Sequence, residues 1–416
     1  MLSLATPVYC PPPPENIEAT GIPQSLITDL VVRRTYISGI GTLQGLGKVL
    51  KLSPLVLEAI FRELRQQQLV EVKGMVGNDY NFSLTQAGRN MAMDRFQISH
   101  YAGAAPVSLR QYARLVKAQA AKVKIDRKVL RQVLSDLVLP DNLLDQIGPA
   151  VISQNSIFLY GPTGSGKTSL AERILRVYHD TVVVPYAVEV DGQIIQLFDP
   201  VLHEPLQTDT ADMDPRWVMC RRPCVLTGGE LVAAMLELRL DEATGVYAAP
   251  LQMKANNGVL IIDDFGRQLM PPRELLNRWI VPLDRRVDYL SLRYGVKFQI
   301  PFETLVVFAT NLDPRELADE AFLRRLQNKI FVESVDPVLF DEIFRRVMVA
   351  RNVPIEPDSA DVLRKLCYDH GCTELRACYP ADICNILVSI SNYENRPPHA
   401  SREDLARAAD LYFTKT

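Results

Sequence analysis

Apolar residues recur at helical spacing soon after the N-terminus. From Ser25 the pattern predicts short helices over residues 26–37, 42–50 and 54–68, the last opened by Ser53 as its cap and Pro54 in its first turn. Residues 69–73 and 80–84 flank a turn holding Gly74, Gly77 and Asn78, which reads as strand, turn, strand. Farther on, continuous apolar runs replace alternation. Residues 156–160, 259–262 and 305–309 read as short strands buried on both faces, as in a parallel sheet. Residues 272–283 predict a helix, and two hairpins are expected, one around Asp191-Gly192 and one around Gly295. From Pro337 the pattern is helical to the end, over 339–349, 359–369, 380–393 and 402–413.

At 416 residues the chain is too long for one core and fits two or three modules. With 47% hydrophobic and 23% charged residues it is an ordinary globular composition, which excludes a mainly disordered chain. A net charge of -3 does not mark the whole molecule as a nucleic-acid binder, so charge is read by segment. Residues 24–100 carry nine basic and six acidic residues, and in the third helix Arg62 and Arg65 face Glu58 and Glu63. Residues 107–134 hold eight basic residues and one acid, interleaved with apolar ones. One or two amphipathic helices with a basic outer face are expected there, either solvated or touching nucleic acid or an acidic neighbour.

The run Cys10 to Pro14 favours an extended polyproline conformation and reads as a tail. Seven cysteines without CxxC spacing read as reduced, mostly buried thiols. No apolar run reaches the roughly 18 residues of a membrane span and no signal segment is evident, so a cytoplasmic protein without membrane insertion is expected.

The strongest chemical signal is Gly161, Pro162, Thr163, Gly164, Ser165, Gly166, Lys167 and Thr168, followed by Ser169, between a strand and a helix. Glycines there let successive backbone N–H groups curl around a phosphate, and the helix start adds its positive dipole end. Lys167 reaches the outer phosphates and Thr168 supplies a Mg²⁺ ligand, so ATP and Mg²⁺ are the expected cofactors. The run 259–262 ends in Asp263 and Asp264. Asp263 is placed to hold Mg²⁺ and Asp264 to orient an attacking water.

These motifs resemble the AAA+ ATPase family over roughly residues 130–416. The resemblance implies an α/β P-loop NTPase (AAA+) core with a C-terminal helical lid, of the type with a hairpin before sensor 1, which includes MoxR-like proteins. It makes Asn311 the sensor 1 residue. Arg325, then Arg324, are the candidates for an arginine finger acting on a neighbouring subunit, and Arg376 for sensor 2. It also implies a homo-oligomer, a hexameric ring, that remodels a macromolecular partner. Asp264 replaces the usual Glu, and Ala381 stands where a second lid arginine often follows the proline, so slow hydrolysis is one expectation.

Residues 24–100 resemble a winged helix, a small α+β domain. The expected division is a proline-rich tail at 1–22, a winged helix domain at 23–100, a basic helical linker at 101–135, an ATPase domain at 136–336 and a lid at 337–416. A protein partner is expected, with DNA open through the winged helix and residues 107–134. Two other readings stay open: a DNA-tethered ATP-dependent switch, and an adaptor that binds ATP with little hydrolysis.

Overall fold

The computed structural model describes residues 10–77, 79–207, 212–317 and 323–413. Its centre is a five-stranded parallel sheet, ordered Cys224–Thr227, Val259–Ile262, Leu305–Thr310, Ile157–Tyr160, Asn328–Phe331. The strand before the glycine-rich loop is thus flanked by the strand ending at Thr310, while the strand ending in two acids lies one place farther. Alternate residues feed different layers. Ile157, Leu159, Val259 and Ile261 pack under one set of helices, and Phe158, Leu260, Ile262 and Phe308 pack against Phe265 and Trp279 on the other face. Burial on both faces is why these strands read as unbroken apolar runs.

The N-terminal unit has helices Gln24–Ser38, Leu43–Leu50, Pro54–Gln66 and Gln86–Ile98 around an antiparallel sheet of Ile40–Thr42, Asp79–Leu84 and Val70–Val76. The three helices read from sequence are present within two residues, and the strand pair is present with its first strand running through Gly74 to Val76, three residues beyond the expected end. The turn residue Asn78 lies outside the described residues. This unit's core does not close on itself: it continues into Ala187, Ile194 and Val246.

Those residues belong to a second five-stranded sheet, ordered Arg239–Asp241, Val246–Ala248, Gln193–Gln196, Ala187–Val190, Val107–Ser108. Both expected hairpins exist. One turns through Asp191 and Gly192, with φ of 50° and 75°, the left-handed pair that favours Gly and Asp. The other pairs Val287–Ser291 with Lys297–Pro301. Their tips touch through the Tyr294 hydroxyl, which donates to Asp191 Oδ2 at 3.3 Å. Hairpins, second sheet and helix Leu109–Ala118 share one core with Trp217 and Tyr112.

Two expectations are corrected. From Cys10 onward the proline-rich segment is no free tail: the Pro11 carbonyl accepts from Asp214 N–H at 2.8 Å and the Pro14 carbonyl from the Ser53 hydroxyl at 2.7 Å. Proline carbonyls remain acceptors even though proline lacks a donor, so the extended run can still be fastened. Residues 101–135 are likewise not one helical linker. They contribute a strand to the second sheet and split into helices Leu109–Ala118 and Arg127–Val133, which enter different cores.

The C-terminal helices Pro337–Ala350, Ser359–Asp369, Tyr379–Tyr393 and Arg402–Tyr412 surround their own core. The first is capped by Asp336 and the last by Ser401. The described cysteines are all free thiols, Cys10 exposed and the others buried or half-buried. No described helix is long and apolar enough to cross a membrane.

Candidate nucleotide site

The glycine-rich loop joins the central strand Ile157–Tyr160 to helix Lys167–Ile174. Gly161 has φ of 144°, and a Cβ there would lie 2.3 Å from the Val332 carbonyl oxygen, so only glycine lets the loop leave the sheet at this point. Gly164 has φ of 77°, and a Cβ there would meet Cys378 Sγ at 2.6 Å. The Lys167 ammonium folds back on the loop, donating to the carbonyls of Gly161 at 3.0 Å and Pro162 at 2.7 Å. Burial lowers its pKa, opposed by the nearby charges of Asp263 and Asp264.

Thr168 Oγ1 donates to both carboxylate oxygens of Asp263, at 2.9 and 2.8 Å. A hydroxyl and a carboxylate therefore converge where a hard cation would take oxygen ligands. Asp264, beside them, is exposed and holds φ of 47°. This left-handed backbone, unusual outside glycine, turns the chain away from the sheet immediately after the strand. Asn311 Nδ2 donates to Thr163 Oγ1 at 3.0 Å, while its buried Oδ1 has no partner among the described residues. Thr310 Oγ1 donates to the Phe265 carbonyl at 2.6 Å, tying the Asn311 strand to the loop that carries Asp264.

The helical lid closes the opposite side. Cys378 N–H donates to the Gly164 carbonyl at 3.1 Å. Between core and lid lies a cavity of about 680 Å³, lined by residues 163–169, Asp263, Asp264 and Asn311. Apolar Leu137, Val138, Leu139, Ile343 and Val347 also line it. The size suits a ligand of nucleotide dimensions, and the mixed polar and apolar lining suits one with both anionic and apolar parts. Backbone donors, Lys167, the Thr168–Asp263 pair and the unpartnered Asn311 oxygen together fit a nucleotide phosphate with Mg²⁺.

The remaining sequence candidates fall elsewhere. Gly161 and Pro162 stand behind the cavity wall and act through the carbonyls that hold Lys167. Arg376 does not line the cavity: its side chain passes Gly164 and its guanidinium sits 5.7 Å from the centre of the Tyr379 ring. Ala381 lines the cavity instead. Arg325 is bound to Asp284 at 2.9 Å, and Arg324 is exposed; neither lines the cavity. Residues 321 and 322, part of the segment proposed to carry the finger, lie outside the described residues.

Sequence reasoning missed Arg346. It lines the cavity from the first lid helix, donating through Nη1 to the Ser135 carbonyl at 2.8 Å. Next to Ser135, Asp136 accepts from Arg173 at 2.7 Å and Arg176 at 2.8 Å, both on the segment that follows the glycine-rich loop. The apolar wall 137–139 is thus pinned from both lobes. Arg346 and Ser135 are 211 positions apart, so no local pattern could have paired them.

The strand order, the loop after the central strand and the helical lid settle the architecture. The core has the α/β P-loop NTPase fold of the AAA+ type. A family model described as a domain of unknown function (DUF8689) matches residues 336–411, the lid helices. No curated protein matches the chain. Among solved structures, it is similar to the Thermotoga maritima RuvB Holliday junction branch migration motor, at 15% identity and a TM-score of 0.36, over 70% of this chain and 72% of that one. It is also similar to NtrX from Brucella abortus, at 14% identity and a TM-score of 0.41, over 68% of this chain and 59% of that one. At these identities neither neighbour transfers an activity or a partner.

Proposed function

We propose that this chain is an AAA+ ATPase that binds ATP with Mg²⁺ in the cavity between core and lid, hydrolyses it, and uses the cycle to remodel a macromolecular partner as a ring of identical subunits. The observation that carries this reading is the convergence of Lys167, the Thr168–Asp263 pair and Asn311 in a cavity that the lid closes. Thr168 and Asp263 would hold Mg²⁺, which supplies charge neutralisation at the phosphates. Lys167 exchanges its loop carbonyls for phosphate oxygens. Asp264 and Asn311 orient the water, Asn311 through the Oδ1 that has no partner among the described residues.

Arg324 is the better finger in this reading, because Arg325 is engaged by Asp284 of its own subunit. Residues 23–100 are read as a winged helix used for protein docking. The Asp79 carboxylate already accepts from the first amides of helix Leu43–Leu50, at 3.1 and 2.8 Å, the donors a DNA phosphate would seek. Arg62 of the next helix is paired with Glu58. The two hairpins, joined at their tips, would deliver the lid's movement to the partner as one body.

The test is phosphate release across protein concentrations by wild type, Lys167→Ala and Arg324→Ala. Specific activity should rise with concentration. Lys167→Ala should lose about 100-fold or more, and mixing the two variants should restore part of the rate, because each supplies the half-site the other lacks. Wild type that binds ATP but releases no phosphate at any concentration would sink the motor reading in favour of an adaptor.

A further inference from the structure

A second cavity, of about 480 Å³, shares no lining residue with the nucleotide site. One wall is the proline-rich segment; the other is helix Leu109–Ala118, with Trp217 and Asp214 between them. The groove is a built feature. Pro11 is bonded to Asp214, Pro14 to Ser53, and Ala19 accepts from Gln111 of the helix at 3.4 Å. Its lining is mostly apolar: pyrrolidine rings, Leu115, Ala118 and the Trp217 indole.

The charges around it are one-sided. Arg110, Arg114 and Lys117 follow one another at four- and three-residue steps, so they share one face of the helix, and all three are exposed. None forms a close ion pair among the described residues, and of the three only Lys117 has a carboxylate near enough to feel its charge, that of Glu303. Arg127 and Arg131 of the next helix are by contrast paired with Asp141 and Asp145, and the exposed Lys122, Lys124 and Lys128 lie beyond the groove helix, so Arg110, Arg114 and Lys117 are the exposed cations on the groove helix itself. Two carboxylates also line it. Asp214 is buried and neutralised by Arg216 at 2.7 Å, while Glu15 stands exposed on the proline side.

We infer that this groove is a docking site for a short acidic segment of another protein, one that carries a bulky apolar side chain. The apolar side chain enters between the prolines and Ala118, over the buried Trp217, and carboxylates of the same segment meet Arg110, Arg114 and Lys117. Charge complementarity selects a peptide over nucleic acid. A polyanion would also face Glu15, whereas a peptide presents its acids on the helix side alone. The one aromatic ring of the groove, Trp217, is only 4% exposed and offers no face for base stacking.

The experiment pans a display library of random short peptides against the full chain, then measures the affinity of the enriched peptides by fluorescence polarisation. Acidic peptides with a large apolar residue should be enriched. Their affinity should fall about tenfold or more in the variant Arg110→Glu with Arg114→Glu, and comparably in Ala118→Trp, which fills the groove and leaves its charge intact. Both changes lie on the exposed helix face, and an unchanged melting temperature verifies folding. Three results would each overturn the proposal: no enrichment, peptides that bind both variants as tightly as wild type, or loss only on charge reversal. Single-stranded DNA that binds in an Arg114-dependent way would assign the ridge to nucleic acid instead.

Discussion

The two sheets of this protein solve opposite problems. The three central strands of the parallel sheet are buried on both faces and lead into the cavity, so the candidate residues follow directly from them: the loop from Gly161 after Tyr160, Asp263 after Ile262, Asn311 after Thr310. The second sheet draws its strands from residues 107–108, 187–196 and 239–248, and it packs the N-terminal unit on one side and the hairpins within its own core. The first sheet makes a site from contiguous sequence; the second joins distant modules into one body. The candidate site is therefore local in sequence, and the joining of the modules depends on long-range contacts.

The largest effect should come from the joint itself. Arg216 is 1% exposed, and besides its ion pair with Asp214 it donates to the carbonyls of Thr20 at 2.8 Å and Pro106 at 3.0 Å. Arg216→Ala leaves Asp214 buried and unpaired, and should destabilise the chain by about 3–5 kcal/mol in chemical denaturation. If ATP binding at low denaturant survives unchanged, the division between a local site and a long-range joint is sharpened; a parallel loss of binding would break it.

Within the nucleotide site, the two lid arginines provide the next contrast. Arg346→Ala removes the link between the lid and the wall at residues 135–139, and should raise KM for ATP about fivefold to tenfold with a smaller change in kcat. Arg376→Ala should change both by less than about twofold, since its guanidinium packs on Tyr379. The reverse ranking in steady-state kinetics would restore Arg376 as the lid's nucleotide contact.

The smallest effect is on pH dependence. His203 is buried, Nδ1 accepting from Asp199 N–H at 2.9 Å and Nε2 facing the Lys254 carbonyl at 2.9 Å, which fixes the neutral ring with its proton on Nε2. Burial pushes its pKa down. Below an ordinary value of about 6.5 the unfolded chain takes up a proton that the folded chain refuses, so stability falls as pH drops through that value. Between pH about 7.5 and about 5.5, wild type should lose more stability than His203→Gln in urea unfolding. Equal losses would remove His203 from the account.

Legibility followed the same division. Helices at 54–66, 359–369 and 379–393 and the strands around the glycine-rich loop were readable because caps, prolines and apolar periods are local signals. The two helices expected within residues 107–134 are present, but the fastening of the proline-rich segment and the strand Val107–Ser108 were missed because short extended pieces carry no period; their place is set by what they pair with. Arg376 was the candidate that the family resemblance implied, yet the course of the lid turns it toward Tyr379 and brings Arg346, from another helix, to the cavity.

By itself the sequence determined the glycine-rich loop between strand and helix, the paired acids at the end of a buried strand, and the order of α/β core and helical lid, because each rests on adjacent residues and their backbone preferences. Only the tertiary structure decided which cations face the cavity, that the N-terminal unit shares a core with an inserted sheet, and that a basic helix forms one wall of a groove. Those features depend on contacts between residues roughly a hundred or more positions apart, such as Ser135 with Arg346 and Thr20 with Arg216. Such contacts are chosen by packing and by the need to pair buried polar groups.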